Sequence, residues 1–171
     1  MGDRLRITPS ESVEVRRSDS ELLEVEGTWG PDGSPPPKHY HPSQDEHFEV
    51  LEGTLRSRVD GEERDLGPGD ELDIPRGIVH QMWNPGGEPT RAVWQTRPGG
   101  RTERWFRAID RLHRDGRVGS GGQPSTLAFS VLLTEYDDVF RLGVPAQPIV
   151  RGALAGLAVV GRARGYDAGA S

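Results

Sequence analysis

Cysteine is absent from the chain. Disulfides, thiolate metal sites and cysteine nucleophiles are therefore excluded, and any metal must be held by histidine and carboxylate. Long apolar runs are also missing. The longest, Ile149–Val160, is interrupted by Arg151 and is too short to span a bilayer. The segment Met1–Ser12 is polar and lacks the apolar centre of a signal peptide. The expectation is a cytoplasmic protein with no membrane partner. Nor is there an excess of positive charge. The net charge of −6 argues against a general nucleic-acid binder.

What the chain does have is turn chemistry. Its 171 residues fit one domain with room for an appendage, and the 23 glycines and 14 prolines suit a fold with many tight turns. Charge divides the chain in two. Residues 1–97 hold 11 Lys+Arg and 20 Asp+Glu, giving −9; residues 98–171 hold 10 Arg and 7 Asp+Glu, giving +3.

The apolar period changes at the same place. Before residue 97, short runs rich in β-branched and aromatic residues read as strands: 12–17, 21–29, 46–52, 54–60, 62–66, 71–74, 79–84 and 91–97. Between them lie breaks such as Gly30–Gly33, Pro35-Pro36-Pro37, Gly67-Pro68-Gly69 and Asn84-Pro85-Gly86-Gly87. Asp60-Gly61 is a two-residue hairpin signal, since both residues tolerate positive φ. Leu51, Leu55, Val59, Leu66, Leu72, Ile74, Val79 and Val93 are the expected barrel filling. After Pro98-Gly99-Gly100, Trp105, Ile109 and Leu112 recur at helical spacing, predicting a helix over 102–114. Leu127, Val131, Tyr136, Val139 and Phe140 predict a second, entered at Pro124-Ser125, after a Gly/Ser-rich loop at 116–122. Pro148 opens a third that ends near Gly165. The expected division is a β-barrel with its N-terminal strands over 1–97 and a helical extension over 98–171, packed on the barrel or on a dimer interface.

Two blocks carry the chemistry. The first runs Gly33, five residues, His39-Tyr40-His41, four residues, Glu46, six residues, Gly53. The second runs Gly69, five residues, Pro75-Arg76-Gly77, two residues, His80, three residues, Asn84. His39 and His41 are two apart, so on a strand both rings face one side. Glu46 can open the strand that ends at Gly53, and His80 follows a turn onto another strand. Such a set of imidazoles and carboxylate suits Fe, Mn, Ni, Zn or Cu as a single divalent ion and does not choose among them.

These blocks resemble the two signature motifs of the cupin superfamily, G-x5-H-x-H-x4-E-x6-G and G-x5-P-x-G-x2-H-x3-N, with every fixed position present. The intermotif distance matches small bacterial single-domain cupins. The resemblance covers residues 33–97 and implies a mainly β fold, an antiparallel jelly-roll barrel. It also implies that His39, His41, Glu46 and His80 ligate the metal. Four ligands on an octahedral ion leave two positions open, which marks a catalytic site rather than a closed structural one.

Phe48 and Val50 share parity with Glu46, and Met82 with His80, so these three are expected to line a pocket beside the metal. His47 and Trp83 should point away from it. Arg76 and Asn84 read as turn residues, and His113 as a solvated residue of the first helix. Small cupins with the full ligand set resemble non-haem iron or manganese dioxygenases. The resemblance thus implies a dioxygenase-like oxidoreductase acting on a small organic molecule, and a homodimer. The alternatives are a non-catalytic small-ligand binding or sensing cupin, or a metal-dependent isomerase, decarboxylase or cyclase. No helix-turn-helix pattern adjoins the barrel.

Overall fold

The computed structural model describes residues 3–31, 33–119 and 122–169. Asp32, Ser120 and Gly121, in the turn and loop expected from sequence, lie outside the described residues, as does Met1. The strands are β1 (Arg4–Arg6), β2 (Glu11–Ser18), β3 (Leu23–Trp29), β4 (His39–Tyr40), β5 (Asp45–Glu52), β6 (Leu55–Val59), β7 (Glu62–Leu66), β8 (Glu71–Ile74), β9 (His80–Trp83) and β10 (Thr90–Arg97). They are followed by α1 (Thr102–Arg114), α2 (Thr126–Glu135), β11 (Arg141–Leu142) and α3 (Gln147–Ala163). One sheet has the order β1-β2-β3-β10-β5-β8, the other β11-β4-β9-β6-β7. Every pairing is antiparallel. The result is a jelly-roll barrel with a C-terminal helical extension. Among the described residues no helix is long and apolar enough to cross a membrane.

Period-two sequence becomes period-two burial. On β3 each alternate residue from Leu23 to Trp29 is buried, and on β5 the buried row is Glu46, Phe48 and Val50. Asp60 (φ 49°) and Gly61 (φ 90°) form the hairpin between β6 and β7. Gly53 has φ 75°, and a Cβ there would lie 2.5 Å from the Pro89 carbonyl oxygen, so both conformation and space require glycine. Of the expected filling, Leu55, Leu66 and Ile74 are fully buried and Val59 and Leu72 pack against them. Leu51, Val79 and Val93 fall on the outward rows and are half-buried. Leu51 must do so, because its neighbour Val50 takes the inward position.

Two apolar cores meet at one end of the barrel. The first comprises Trp29, Phe48, Val50, Leu55, Leu66, Ile74, Met82 and Ala92. The second joins β1–β3 to the helices through Leu5, Val13, Leu23, Val25, Trp105, Phe106, Ile109, Leu132 and Phe140. Trp94 packs against both. The arginine-spaced stripe of α1 is what the second core needs. Trp105, Phe106, Ile109 and Leu112 face inward. Asp110 on the same helix accepts the Arg6 backbone N–H at 2.9 Å and an Arg114 side-chain bond at 2.7 Å. The outer edge of β1, a strand the sequence reading missed, is thereby covered. His113 is also not simply solvated: it is partly buried with Nε2 3.2 Å from the Ile7 carbonyl.

The second helix is shorter than expected. It is capped by Ser125, whose hydroxyl accepts from Ala128 N–H, and it ends at Glu135. Tyr136 leaves the helical region, and the backbone N–H groups of Val139 and Phe140 both bond to its carbonyl. Asp137 and Asp138 are taken up by Arg141, Arg151 and Arg101. The chain then turns into β11, a two-residue strand within the helical extension. The third helix matches its predicted span. It packs on α2 where Gly161 meets Val131 and Leu127, and leaves Ile149, Val159 and Val160 exposed.

Candidate metal centre

Pro35-Pro36-Pro37 delivers an extended chain to β4, because proline fixes φ and disfavours helix in the residue before it. The two-residue β4 is held on both sides. His39 pairs with His80 of β9, and Leu142 of β11 pairs with His39. Gly143 N–H bonds to the Lys38 carbonyl at 2.7 Å, and Gly77 N–H to the His41 carbonyl at 2.8 Å. Glu46 comes from the opposite sheet, at the start of β5, between Ile74 of β8 and Thr96 of β10.

These elements bring His39, His41 and His80 together, with one nitrogen from each lying within 4.8 Å of the others. Glu46 meets the group from the other sheet: Oε1 is 3.3 Å from His41 Nε2 and Oε2 is 2.9 Å from His80 Nε2. His41, His80 and Glu46 are buried and His39 is half-buried. All four residues predicted from sequence thus converge.

Each imidazole is oriented through its other nitrogen. His39 Nδ1 is 2.9 Å from the Pro37 carbonyl, His41 Nδ1 is 2.5 Å from the Val139 carbonyl, and His80 Nδ1 is 3.0 Å from the Ile78 carbonyl. A carbonyl only accepts, so each Nδ1 carries a proton. Each Nε2 is then left to face the centre, and on a neutral ring it offers a lone pair there. His41 Nε2 and Glu46 Oε2 are buried without a hydrogen-bond partner, so their short contacts to neighbours are close approaches without alignment. An orphaned imidazole nitrogen beside an orphaned carboxylate oxygen, both out of water, is the donor set of a cation site.

The electrostatics point the same way. Burial first, then His80 and His41, pushes His39 well below the ordinary imidazole range. Burial also lowers His41, against the pull of Glu46. Burial alone would raise Glu46, but the charge that His41, His80 and His39 can carry outweighs it and holds the carboxyl at about 2. On His80 burial is outweighed by Glu46, and its pKa rises. Burial thus disfavours a proton on His39 and His41, whereas Glu46 favours one on His80, a proton that a metal ion there would displace.

The C-terminal extension supplies the rest. Besides the Val139 carbonyl, the Phe140 ring stacks on His39 at 4.4 Å and 13°, and on Trp105 at 5.0 Å and 20°. Trp94 Nε1–H donates to Glu46 Oε1 at 2.9 Å. Gln44, buried between His41 and Glu46 in the first block, donates to the Pro98 and Gly99 carbonyls and to Thr102 Oγ1. Sequence reading missed all of these. Trp94 alone carried a signal, its inward parity with Ala92 and Thr96 on β10.

A cavity of about 120 Å³ adjoins the centre. His39, His41 and His80 form one part of its wall, and aromatic rings including Phe48, Trp94, Trp105 and Phe140 form much of the remainder. Phe48 and Met82 line it as expected. Val50 does not: it lies one inward position further along β5, packed in the barrel core. His47 faces outward, paired with Asp73 at 2.8 Å, and Trp83 faces away under Arg58. Arg76 pairs with Asp45, and Asn84 bonds to the Trp29 and Glu88 carbonyls as a turn residue.

The sequence model of the family described as "Cupin domain" matches residues 26–96. That segment contains both ligand blocks and the strands that position them. Residues 26–96 match a cupin domain. The fold agrees: an RmlC-like cupin from Shewanella frigidimarina superposes with a TM-score of 0.52 at 19% identity, over 57% of this chain and 85% of that one. Among curated relatives, the tetracenomycin polyketide synthase protein TcmJ of Streptomyces glaucescens is 41% identical over 61 residues, 36% of this chain and 41% of the relative. Quercetin 2,3-dioxygenase of Bacillus subtilis is 37% identical over 65 residues, 38% of this chain and 19% of the relative. The chain spans 41% of the first relative and 19% of the second, so it covers less than half the length of either.

Proposed function

We propose that this cupin is a mononuclear metalloenzyme of dioxygenase type, with one divalent transition metal held by His39, His41, Glu46 and His80. Its substrate is a small organic molecule that enters the adjoining cavity. The observation that carries this reading is the convergence of oriented Nε2 atoms and an unpartnered Glu46 oxygen on the wall of a largely aromatic cavity. A metal bound there would supply Lewis acidity and, if redox-active, one-electron chemistry. The chain's own residues set the conditions. Trp94 fixes one oxygen of Glu46, Phe140 holds the His39 ring and the apolar lining limits water. The oxidoreductase chemistry in the name of the Bacillus relative supports the class.

The test is oxygen uptake by the full chain reconstituted separately with Fe(II), Mn(II), Ni(II), Zn(II) and Cu(II), against a panel of single-ring phenols and enolisable diketones. Metal-dependent uptake that is absent from His80→Ala is the expected result. Saturable binding of a panel member with no oxygen consumption for any metal would instead establish a binding cupin.

We also propose that the chain is a homodimer that covers α3. Ile149 is 75% exposed and Val159 67%, on a helix with only Ala158 and Gly161 buried. Sedimentation at micromolar concentration should give twice the mass of one chain, and a monomer there would refute it.

A further inference from the structure

The inward row at the start of β2 reads Glu11, Val13 and Val15. Val13 is fully buried and Val15 packs against the core, yet Glu11, in the same row, is a carboxylic acid. Its partner across the sheet is Trp29 on β3, and both line the cavity that holds the histidines. Trp29 is 5% exposed and its Nε1–H is buried without a hydrogen-bond partner. A buried donor left unmade costs about 1–3 kcal/mol and calls for an explanation.

The geometry is built. A Cβ on Gly27 would lie 2.5 and 2.7 Å from atoms of the Trp29 ring, so the glycine is what lets the indole lie back over the sheet. The Glu11 carboxyl feels the indole without being aligned to it as an acceptor. Burial raises its pKa to about 7, and Trp29 opposes that rise. The pair is also apart from the metal centre. In the sheet register Trp29 lies opposite Thr90 and Glu46 opposite Thr96, six residues apart along β10, so the pair and the carboxylate enter from different positions along the sheet.

We propose that Glu11 and Trp29 form a second polar subsite of this cavity that binds a hydroxyl group of an otherwise apolar ligand. The hydroxyl oxygen accepts from Trp29 Nε1–H, and its proton is donated to the Glu11 carboxyl. A hydroxyl satisfies both groups at once. A carboxylate or phosphate would be repelled whenever Glu11 is ionised, and an ammonium would leave the indole N–H unmatched. The subsite rests on the reading of the cavity as a ligand site. It adds a substrate class: an uncharged molecule with an alcohol or phenol, joined by an apolar body to whatever group the metal centre takes.

The test compares phenol with toluene, ligands of similar size that differ in the hydroxyl. Binding to the full chain is measured by calorimetry, for wild type, Glu11→Leu, Glu11→Gln and Trp29→Phe. Phenol should bind wild type at least about tenfold tighter than toluene. Glu11→Leu and Trp29→Phe should each remove most of that preference by weakening phenol, while leaving metal content unchanged. Glu11→Gln, which keeps an acceptor and is nearly isosteric, should retain part of it and serves if the leucine variant does not fold. Equal binding of phenol and toluene by wild type, or a preference that survives in the variants, would overturn the subsite and leave the cavity reading intact. Failure of either ligand to bind would overturn both.

Discussion

Replacing His80 with alanine is expected to abolish stable metal binding while leaving a folded chain. His80 pairs with His39 across β4 and β9 of one sheet, and its Nε2 lies 2.9 Å from Oε2 of Glu46, which comes from the other sheet. Loss of residues that only support a ligand lowers metal affinity about 10–100-fold, so loss of a ligand should lower it by at least that much. Folding should suffer less, by about 1–3 kcal/mol. Glu46 keeps the Trp94 N–H at 2.9 Å and His41 at 3.3 Å, and water can enter the space left by the ring. The barrel core of Leu55, Leu66, Ile74 and Ala92 is untouched. Metal content by mass spectrometry, with thermal unfolding before and after chelation, checks both halves. Full occupancy in the variant would remove His80 from the ligand set. Unfolding of the wild-type chain by chelator alone would make the metal structural, and the enzyme reading would lose its basis.

Phe140→Ala should have the second largest effect, and it changes no ligand. The ring is held between His39 and Trp105 and packs near Phe129. Truncating a buried aromatic costs about 3–5 kcal/mol through lost contacts and the cavity left behind. Metal affinity should fall by about 10–100-fold as well, because His39 loses the surface that fixes its plane and the neighbouring Val139 carbonyl loses its anchor. The two effects separate in measurement: unfolding reads the first and a metal titration of the folded protein reads the second. A variant that is destabilised but binds metal as tightly as wild type would show that the extension covers the site without building it.

The cluster of His39, His41, Glu46 and His80 was legible because its signal is local. His39 and His41 are two apart on an extended chain, and the glycines at fixed distances mark turns. Gly53, Gly69 and Gly77 all adopt positive φ. Strand periodicity and the span of α1 were legible for the same reason, since a 2.0 or 3.6 period is written within one segment. Parity along single strands separated Phe48 from His47. It did not exclude Val50 from the pocket, because parity names a face of a strand and not the depth along it.

The residue types and spacings of this chain by themselves determined a run of short strands, three histidines and a carboxylate placed to meet, and a helical segment after residue 100; the motif resemblance they carry added the jelly-roll barrel. Only the tertiary structure decided what that segment is for. Val139 and His41 are 98 residues apart, Trp94 and Glu46 are 48 apart, and nothing near any of them in sequence records the contact. Glu11 likewise reads as an ordinary polar residue at a strand start until the sheet register sets it beside Trp29 in the cavity. Periodicity tells which face of an element must be buried, whereas the partner face follows from register, twist and the packing of distant segments.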